Sequence, residues 1–194
     1  MHKNSFVISI ASVSGGGKTT VALNLKERLA NSVILHFDDY GDDVYLRRDI
    51  NDWSADGNDY NEWHVESVVT DIKQLMAKSY DYIILDYPFG YGNDAVGKYI
   101  NFAVFIDTPL DIALARRIIR DYTSRSKESA FGLSDVESLS FAGLDKELRS
   151  YLLRSRSTYA RMPELHRKTS DIVIDGMQET KTIVDKILAN IKHV

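Results

Sequence analysis

The chain has 194 residues, 44% of them hydrophobic and 27% charged, which suits one globular domain with a sizeable core. It contains no cysteine, which excludes disulfides, thiolate metal sites and cysteine nucleophiles. The net charge of −4 disfavours non-specific nucleic-acid binding, which needs a basic surface to neutralise phosphates, and leaves open only a local basic cleft.

Residues 1–5 are polar and run straight into an apolar segment, so no signal peptide is expected. No apolar stretch approaches the roughly 18 residues of a membrane span, and the expectation is a soluble, cytoplasmic protein. In chain order, the nearly continuous apolar runs are Phe6–Ala11, Val33–Phe37, Tyr82–Leu85, Phe102–Ile106 and Ile172–Ile174. Such runs are expected of strands covered on both faces. Between them lie amphipathic segments, predicting helices over Thr19–Ala30, Val65–Lys78, Leu110–Tyr122, Asp145–Tyr159 and Glu179–Ile191. Val21, Leu25 and Leu29 in the first, and Ile183, Ile187 and Ile191 in the last, recur at four-residue spacing and read as core-facing stripes. The alternation predicts an α/β fold: a three-layer α/β/α sandwich around a central, mainly five-stranded parallel sheet. Two stretches break it, Gly41–Trp63 and Thr123–Gly143, and long excursions of this kind often serve as lids or binding segments. The whole of 1–194 therefore reads as one domain, with 41–63 as an acceptor-binding insert and 116–143 as a lid region.

The most specific pattern is Ser12-Val13-Ser14-Gly15-Gly16-Gly17-Lys18-Thr19-Thr20, placed after a strand and before a helix. This is the layout of a P-loop: glycine backbone and a helix N-terminus cradle phosphates. Lys18 is expected to reach the β/γ-phosphates and the Thr19 hydroxyl to hold Mg²⁺. One departure is that Ser12 stands where the usual pattern has its first glycine, and serine does not adopt positive φ cheaply.

Two further strands end in carboxylates. Val33–Phe37 runs into Asp38-Asp39-Tyr40, and Tyr82–Leu85 runs into Asp86. In open α/β sheets, strand C-terminal ends deliver their side chains to the ligand edge. A carboxylate there accepts a hydroxyl proton during phosphoryl transfer or helps hold Mg²⁺. Asp38 is the candidate base or hydroxyl anchor, against a structural turn residue, while Asp39 is open to capping the turn. Asp86 reads as a Walker-B carboxylate, and Asp38 and Asp86 are left to share the metal work. Tyr87-Pro88-Phe89-Gly90 adds aromatic surface suited to a pocket wall. Arg116 and Arg120, four apart, share a helix face and present guanidinium forks suited to phosphate, whereas Arg117 points about 100° from Arg116.

These residues resemble the uridine kinase and nicotinamide riboside kinase group of P-loop kinases. The likeness is carried by Ser14–Thr20, by Asp38-Asp39-Tyr40, by 60–66, and by 107–121, which ends in Arg116-Arg117-Ile118-Ile119-Arg120-Asp121. It implies transfer of a phosphoryl group from MgATP to a small-molecule hydroxyl, most often of a nucleoside-like acceptor, with the first aspartate as base. It implies ATP contacts from Ser14, Gly15, Gly16, Gly17, Lys18, Thr19 and Thr20, and from Arg116, Arg117, Arg120 and Arg125 when a lid closes. The chain departs from the family after Asp121, where Ser124-Arg125-Ser126 keeps only the arginine, and at Asp86-Tyr87-Pro88, where the family usually has Glu-Gly. Asp175-Gly176 follows a strand similar to the family's and falls where the adenine is expected.

On the acceptor side, Asp39, Tyr40, Tyr45, Trp63 and His64 are the candidate contacts, with Trp53 and Tyr60 as further aromatics. Aromatic stacking on a base and packing on the core are both open for them. An anionic acceptor requires Arg47 and Arg48 to point inward, so a neutral or cationic one is expected. Two other readings stand beside the kinase: a nucleotide-dependent switch, for which no Asn-Lys-x-Asp base-reading motif is found, and a nucleotide-binding module without chemistry.

Overall fold

Three apolar runs become the central strands of a parallel sheet because neither of their faces meets water. The computed structural model describes residues 5–123 and 141–191. The sheet consists of β1 (Phe6–Ala11), β2 (Ser32–His36), β5 (Tyr82–Asp86), β6 (Phe102–Asp107) and β7 (Ile172–Asp175), in the order β2-β5-β1-β6-β7. Every pairing in it is parallel. Alternate residues of β1 serve two cores, as the two-residue period of a strand requires. Ile8 and Ile10 pack with Ile84, Val104 and the stripe Val21, Ala22, Leu25 of helix α1 (Lys18–Arg28). Val7 on the other face joins Ile83, Leu85 and Val68 and Ile72 of α3 (Glu66–Met76). The result is the expected three-layer sandwich, with strand ends within one or two residues of the sequence reading.

Register fixes the functional edge. Ile10 and His36 both lie opposite Asp86, so β1, β2 and β5 finish together. The P-loop, Asp38 and Asp86 are thereby brought to one rim.

Three segments differ from expectation. The segment 41–63 is ordered by local chemistry rather than irregular. It contains a two-stranded ribbon, β3 (Tyr45–Leu46) with β4 (Trp63–His64), and a short helix α2 (Ile50–Ala55). Asp49 caps α2 by accepting from the Asn51 N–H at 2.8 Å, and Asp59 accepts from the Asn61 N–H at 2.9 Å. Beyond the short helix α4 (Asp94–Gly97), helix α5 (Leu110–Ile118) passes into a π-turn over Ile119–Thr123. The single helix expected over 145–159 is two: α6 (Phe141–Ser150) and α7 (Arg156–Thr169), joined by a π-turn at Tyr151–Ser155. Helix α7 continues through Pro163, because Thr158, Met162 and His166 are buried at four-residue spacing and outweigh the lost backbone hydrogen bond. The last element among the described residues is α8 (Thr180–Ile191), packed on α1. No helix among the described residues is long and apolar enough to cross a membrane.

Candidate active site

The P-loop conformation follows from its glycines. Gly15 and Gly17 adopt φ of 82° and 102°, in the left-handed region that favours glycine. A Cβ on Gly16 would run into the Ser12 Oγ, and one on Gly15 into the Ala113 carbonyl. Ser12 itself does not take positive φ: among the described non-glycine residues only Asn31 and Asn58 do. Its buried hydroxyl instead donates to the Ile106 carbonyl at 2.8 Å, tying the loop to β6. The Thr108 hydroxyl donates to the Gly16 carbonyl at 2.9 Å from the same side. The departure from the usual glycine is thus accommodated by an extra anchor. Helix α1 begins at Lys18 with Gly17 as an N-cap that has no side-chain cap and no acidic residue in its first turn. Its first N–H groups and its dipole are left for an anion.

Beside the loop lies a tight polar cluster. Asp86, 2% exposed, accepts from the Thr19 hydroxyl at 2.6 Å and lies 3.1 Å from His36 Nδ1 through the same oxygen, Oδ2. Its other oxygen faces Lys18 Nζ at 3.1 Å, an ion pair without hydrogen-bond alignment. Lys18 also lies 3.5 Å from Asp38 Oδ2. Asp38 is half exposed and opens on the cleft. His36 was not singled out by sequence, and its only signal there was its position at a strand end. Mg²⁺ takes oxygen donors and needs only one or two carboxylates when phosphates supply the rest. Thr19 Oγ1 and the Asp86 carboxylate, with Asp38 near, fit that demand. No cluster of three or more acidic or histidine side chains suited to a protein-only metal cage occurs among the described residues.

The cleft is a single cavity of about 600 Å³ with two arms. The first runs along Ser14, Gly15, Gly16, Gly17, Lys18, Thr19 and Thr20 to Gly176, Gln178 and Ile183. Arg116 and Arg120 line it. Both terminal nitrogens of Arg116 donate to the Gly176 carbonyl at 3.3 Å. Arg120 is held by its neighbour Asp121 at 2.5 and 3.0 Å. The Asp121 hydrogen bonds raise the Arg120 pKa against a lowering by burial, and Asp38 adds attraction. The second arm is walled by Phe37, Trp53, Tyr60, Trp63 and Phe89, and Tyr159 and Met162 of α7, packed with Val13 and Ala113, complete the lining of the cavity. The rings interlock: Phe37 meets Phe89 at 5.3 Å, Trp63 meets Phe89 at 5.1 Å, and Tyr60 stacks on Phe89 at 4.7 Å. Asp38 sits at the junction of the arms.

Several expected contacts lie elsewhere. Arg117 is buried against α6, paired with Glu147 and lying over the Tyr151 ring at 5.9 Å, so it does not line the cleft. Asp39 and Tyr40 line a separate groove with Asp71, Gln74 and Lys78. Tyr40 donates to Asp71 at 2.8 Å, and burial first, then Asp71, pushes its pKa above the usual tyrosine range. Tyr45 and His64 stack on each other at 4.6 Å on the β3–β4 ribbon, where His64 pairs with Glu66 at 2.9 Å, and neither lines the cleft. The ribbon turns alternate residues to opposite faces, so Trp63 faces the cleft and His64 does not. Arg125 and the rest of 124–140 lie outside the described residues. The contributions of α7, Gln178 and Ile183 were missed, because ordinary helical residues carry no signature of a cleft.

No family model matches the chain. Among curated proteins it is 25% identical to a uridine kinase of Borrelia hermsii over 190 residues, covering 87% of this chain and 85% of that one. It is 24% identical to a uridine kinase of Lactobacillus johnsonii, covering 99% and 96%. Among solved structures, deoxyadenosine kinase from M. mycoides superposes with a TM-score of 0.51 at 15% identity, covering 97% of this chain and all of that one. A shikimate kinase from Acinetobacter baumannii gives 0.51 at 17%, covering 98% and 95%. The solved structures share the fold and the curated relatives share sequence along most of the chain, and the P-loop with its carboxylate rim agrees with both. Along most of its length the chain is thus similar in sequence to uridine kinases, and it shares the fold of small-molecule P-loop kinases.

Proposed function

We propose that the protein transfers the γ-phosphoryl group of ATP to the hydroxyl of a small, nucleoside-sized acceptor. The observation that carries this reading is Asp38, the half-exposed carboxylate 3.5 Å from the P-loop lysine at the junction of the two arms. ATP lies along the P-loop arm with its base toward Gly176 and Gln178, and the acceptor lies in the aromatic arm supplied largely by 41–63. The Asp38 carboxylate takes the proton of the acceptor hydroxyl as that oxygen attacks the γ-phosphorus. The bond from the γ-phosphorus to the bridging β–γ oxygen breaks, and its electron pair leaves with ADP. Lys18, Arg116 and Arg120 stabilise the charge on the phosphoryl oxygens, so catalysis is mainly positioning and electrostatics. Thr19, Asp86 and Asp38 would hold Mg²⁺, which neutralises phosphate charge when bound.

The test is ADP release from MgATP against a panel of nucleosides, sugars and small alcohols. Stimulation by an acceptor in the wild type is expected to fall by about 10²–10⁴-fold in Asp38→Asn, the usual range for loss of a general base, while ATP binding persists. Full activity in Asp38→Asn removes the base assignment.

A further inference from the structure

Resting on the phosphotransfer reading of the cleft, we propose that the acceptor is an uncharged alcohol carrying a flat, apolar ring. The ring is held by its faces rather than through hydrogen bonds to its edge.

Charge narrows the choice first. The cations of the cleft, Lys18, Arg116 and Arg120, all stand on the P-loop side. The two arginines of the insert do not line the cleft. Arg48 is held by Asp56 at 2.6 Å and Glu62 at 2.7 Å, and Arg47 faces Glu66. Of the seven acids of the insert, Asp49 and Asp59 cap turns, Asp56 and Glu62 hold Arg48, and Asp42, Asp43 and Asp52 do not line the cleft. Among the described residues Asp38 is the one charged side chain of the acceptor arm. A phosphate or carboxylate on the acceptor would face the Asp38 carboxylate, whose neighbouring cations Lys18 and Arg120 belong to the P-loop side, while a cationic one has a single, already paired carboxylate.

The polar inventory narrows it further. No amide, guanidinium, ammonium or imidazole among the described residues lines the aromatic arm. The Trp53 indole N–H is taken by the Asp59 carbonyl at 2.7 Å. The Trp63 indole nitrogen and the Thr158 hydroxyl make no hydrogen bond but are shielded from solvent, so these residues turn carbon rather than polar atoms to the cavity surface. Tyrosine hydroxyls are what remains, beside the carboxylate that takes the reacting hydroxyl. A site that reads a ring edge needs fixed donors and acceptors, and leaving the polar edge of a base unpaired in such surroundings costs affinity. Large aromatic walls reward a carbon ring instead.

The molecule carries its own reporter. Its two tryptophans, Trp53 and Trp63, both line the acceptor arm. Tryptophan fluorescence of the native protein is titrated with uridine, with its analogue in which a phenyl ring replaces uracil on the same ribose, and with uridine 5′-monophosphate. ADP release from MgATP is followed in parallel for each. The phenyl riboside is expected to quench with at least about tenfold higher affinity than uridine, and the monophosphate not to quench. An edge-reading site would instead reject the phenyl analogue by roughly 10⁴-fold. Equal or tighter binding of uridine, quenching by the monophosphate, or no quenching by any of the three overturns the inference. Quenching by the phenyl riboside without ADP release leaves the inference standing and strikes the kinase reading. ADP release with uridine bound more tightly does the reverse.

Discussion

The two arms of the cleft are built by opposite means. The P-loop arm is made of backbone and charge: two glycines at positive φ, an uncapped helix start, and Lys18 between Asp38 and Asp86. The aromatic arm is made of side-chain bulk, rings from three separate segments packed on one another. The first arm is specified residue by residue, since a single Cβ at Gly16 meets Ser12. The second is specified only in sum, by which rings fill the space. Chemistry concentrated in a short loop is conspicuous in sequence, and shape pooled from distant segments is not.

The comparison can be broken hardest at Lys18. Lys18→Ala removes the cation that joins both carboxylates and is expected to lower turnover by more than about 10³-fold, or about 4 kcal/mol. Acceptor-induced quenching of Trp53 and Trp63 should survive. If steady-state kinetics and fluorescence fall together, the arms are not separable.

A smaller effect separates the three arginines. Arg117→Ala leaves Glu147 without its buried partner and is expected to cost on the order of 3 kcal/mol of stability, read as a shift in the urea midpoint. The KM for ATP should change little, because Arg117 faces α6 rather than the cleft. A large rise in that KM with unchanged stability would return Arg117 to phosphate binding.

The smallest effect lies behind the aromatic arm. His166 is fully buried, stacked on Phe105 at 4.7 Å and 6.2 Å from Tyr60. Neither ring nitrogen meets hydrogen-bond geometry. Burial lowers its pKa from 6.5 to about 4, against a smaller raising contact with the Pro88 backbone. The folded state therefore resists a proton that the unfolded state accepts. This contribution is nil above the unfolded value, and stability falls as pH drops from about 6.5 toward 4, by about 2 kcal/mol at pH 5. Urea midpoints at pH 7 and pH 5 should differ less in His166→Leu than in the wild type, and an unchanged difference would show that other groups carry the acid sensitivity.

What was legible in the sequence follows the same division. Continuous apolar runs announced the parallel sheet, because a strand buried on both faces tolerates little else. Glycines before Lys18-Thr19, and carboxylates at the ends of two strands, announced the phosphate rim. Within the arginine helix the sequence could read a shared face for Arg116 and Arg120, but not that α6 would take Arg117. In 41–63 it supplied aromatics and acids without saying which faced the cleft. Trp63 and His64 are adjacent, and only the pairing of β4 with β3 sends one inward.

The sequence by itself determined the layered fold and the phosphate loop, because both depend on local conformation and on periodicity within one segment. Only the tertiary structure decided the aromatic arm. Its walls come from residues 37, 53, 60, 63, 89, 159 and 162, and its lack of free charge depends on which acids and arginines find each other once the chain has folded.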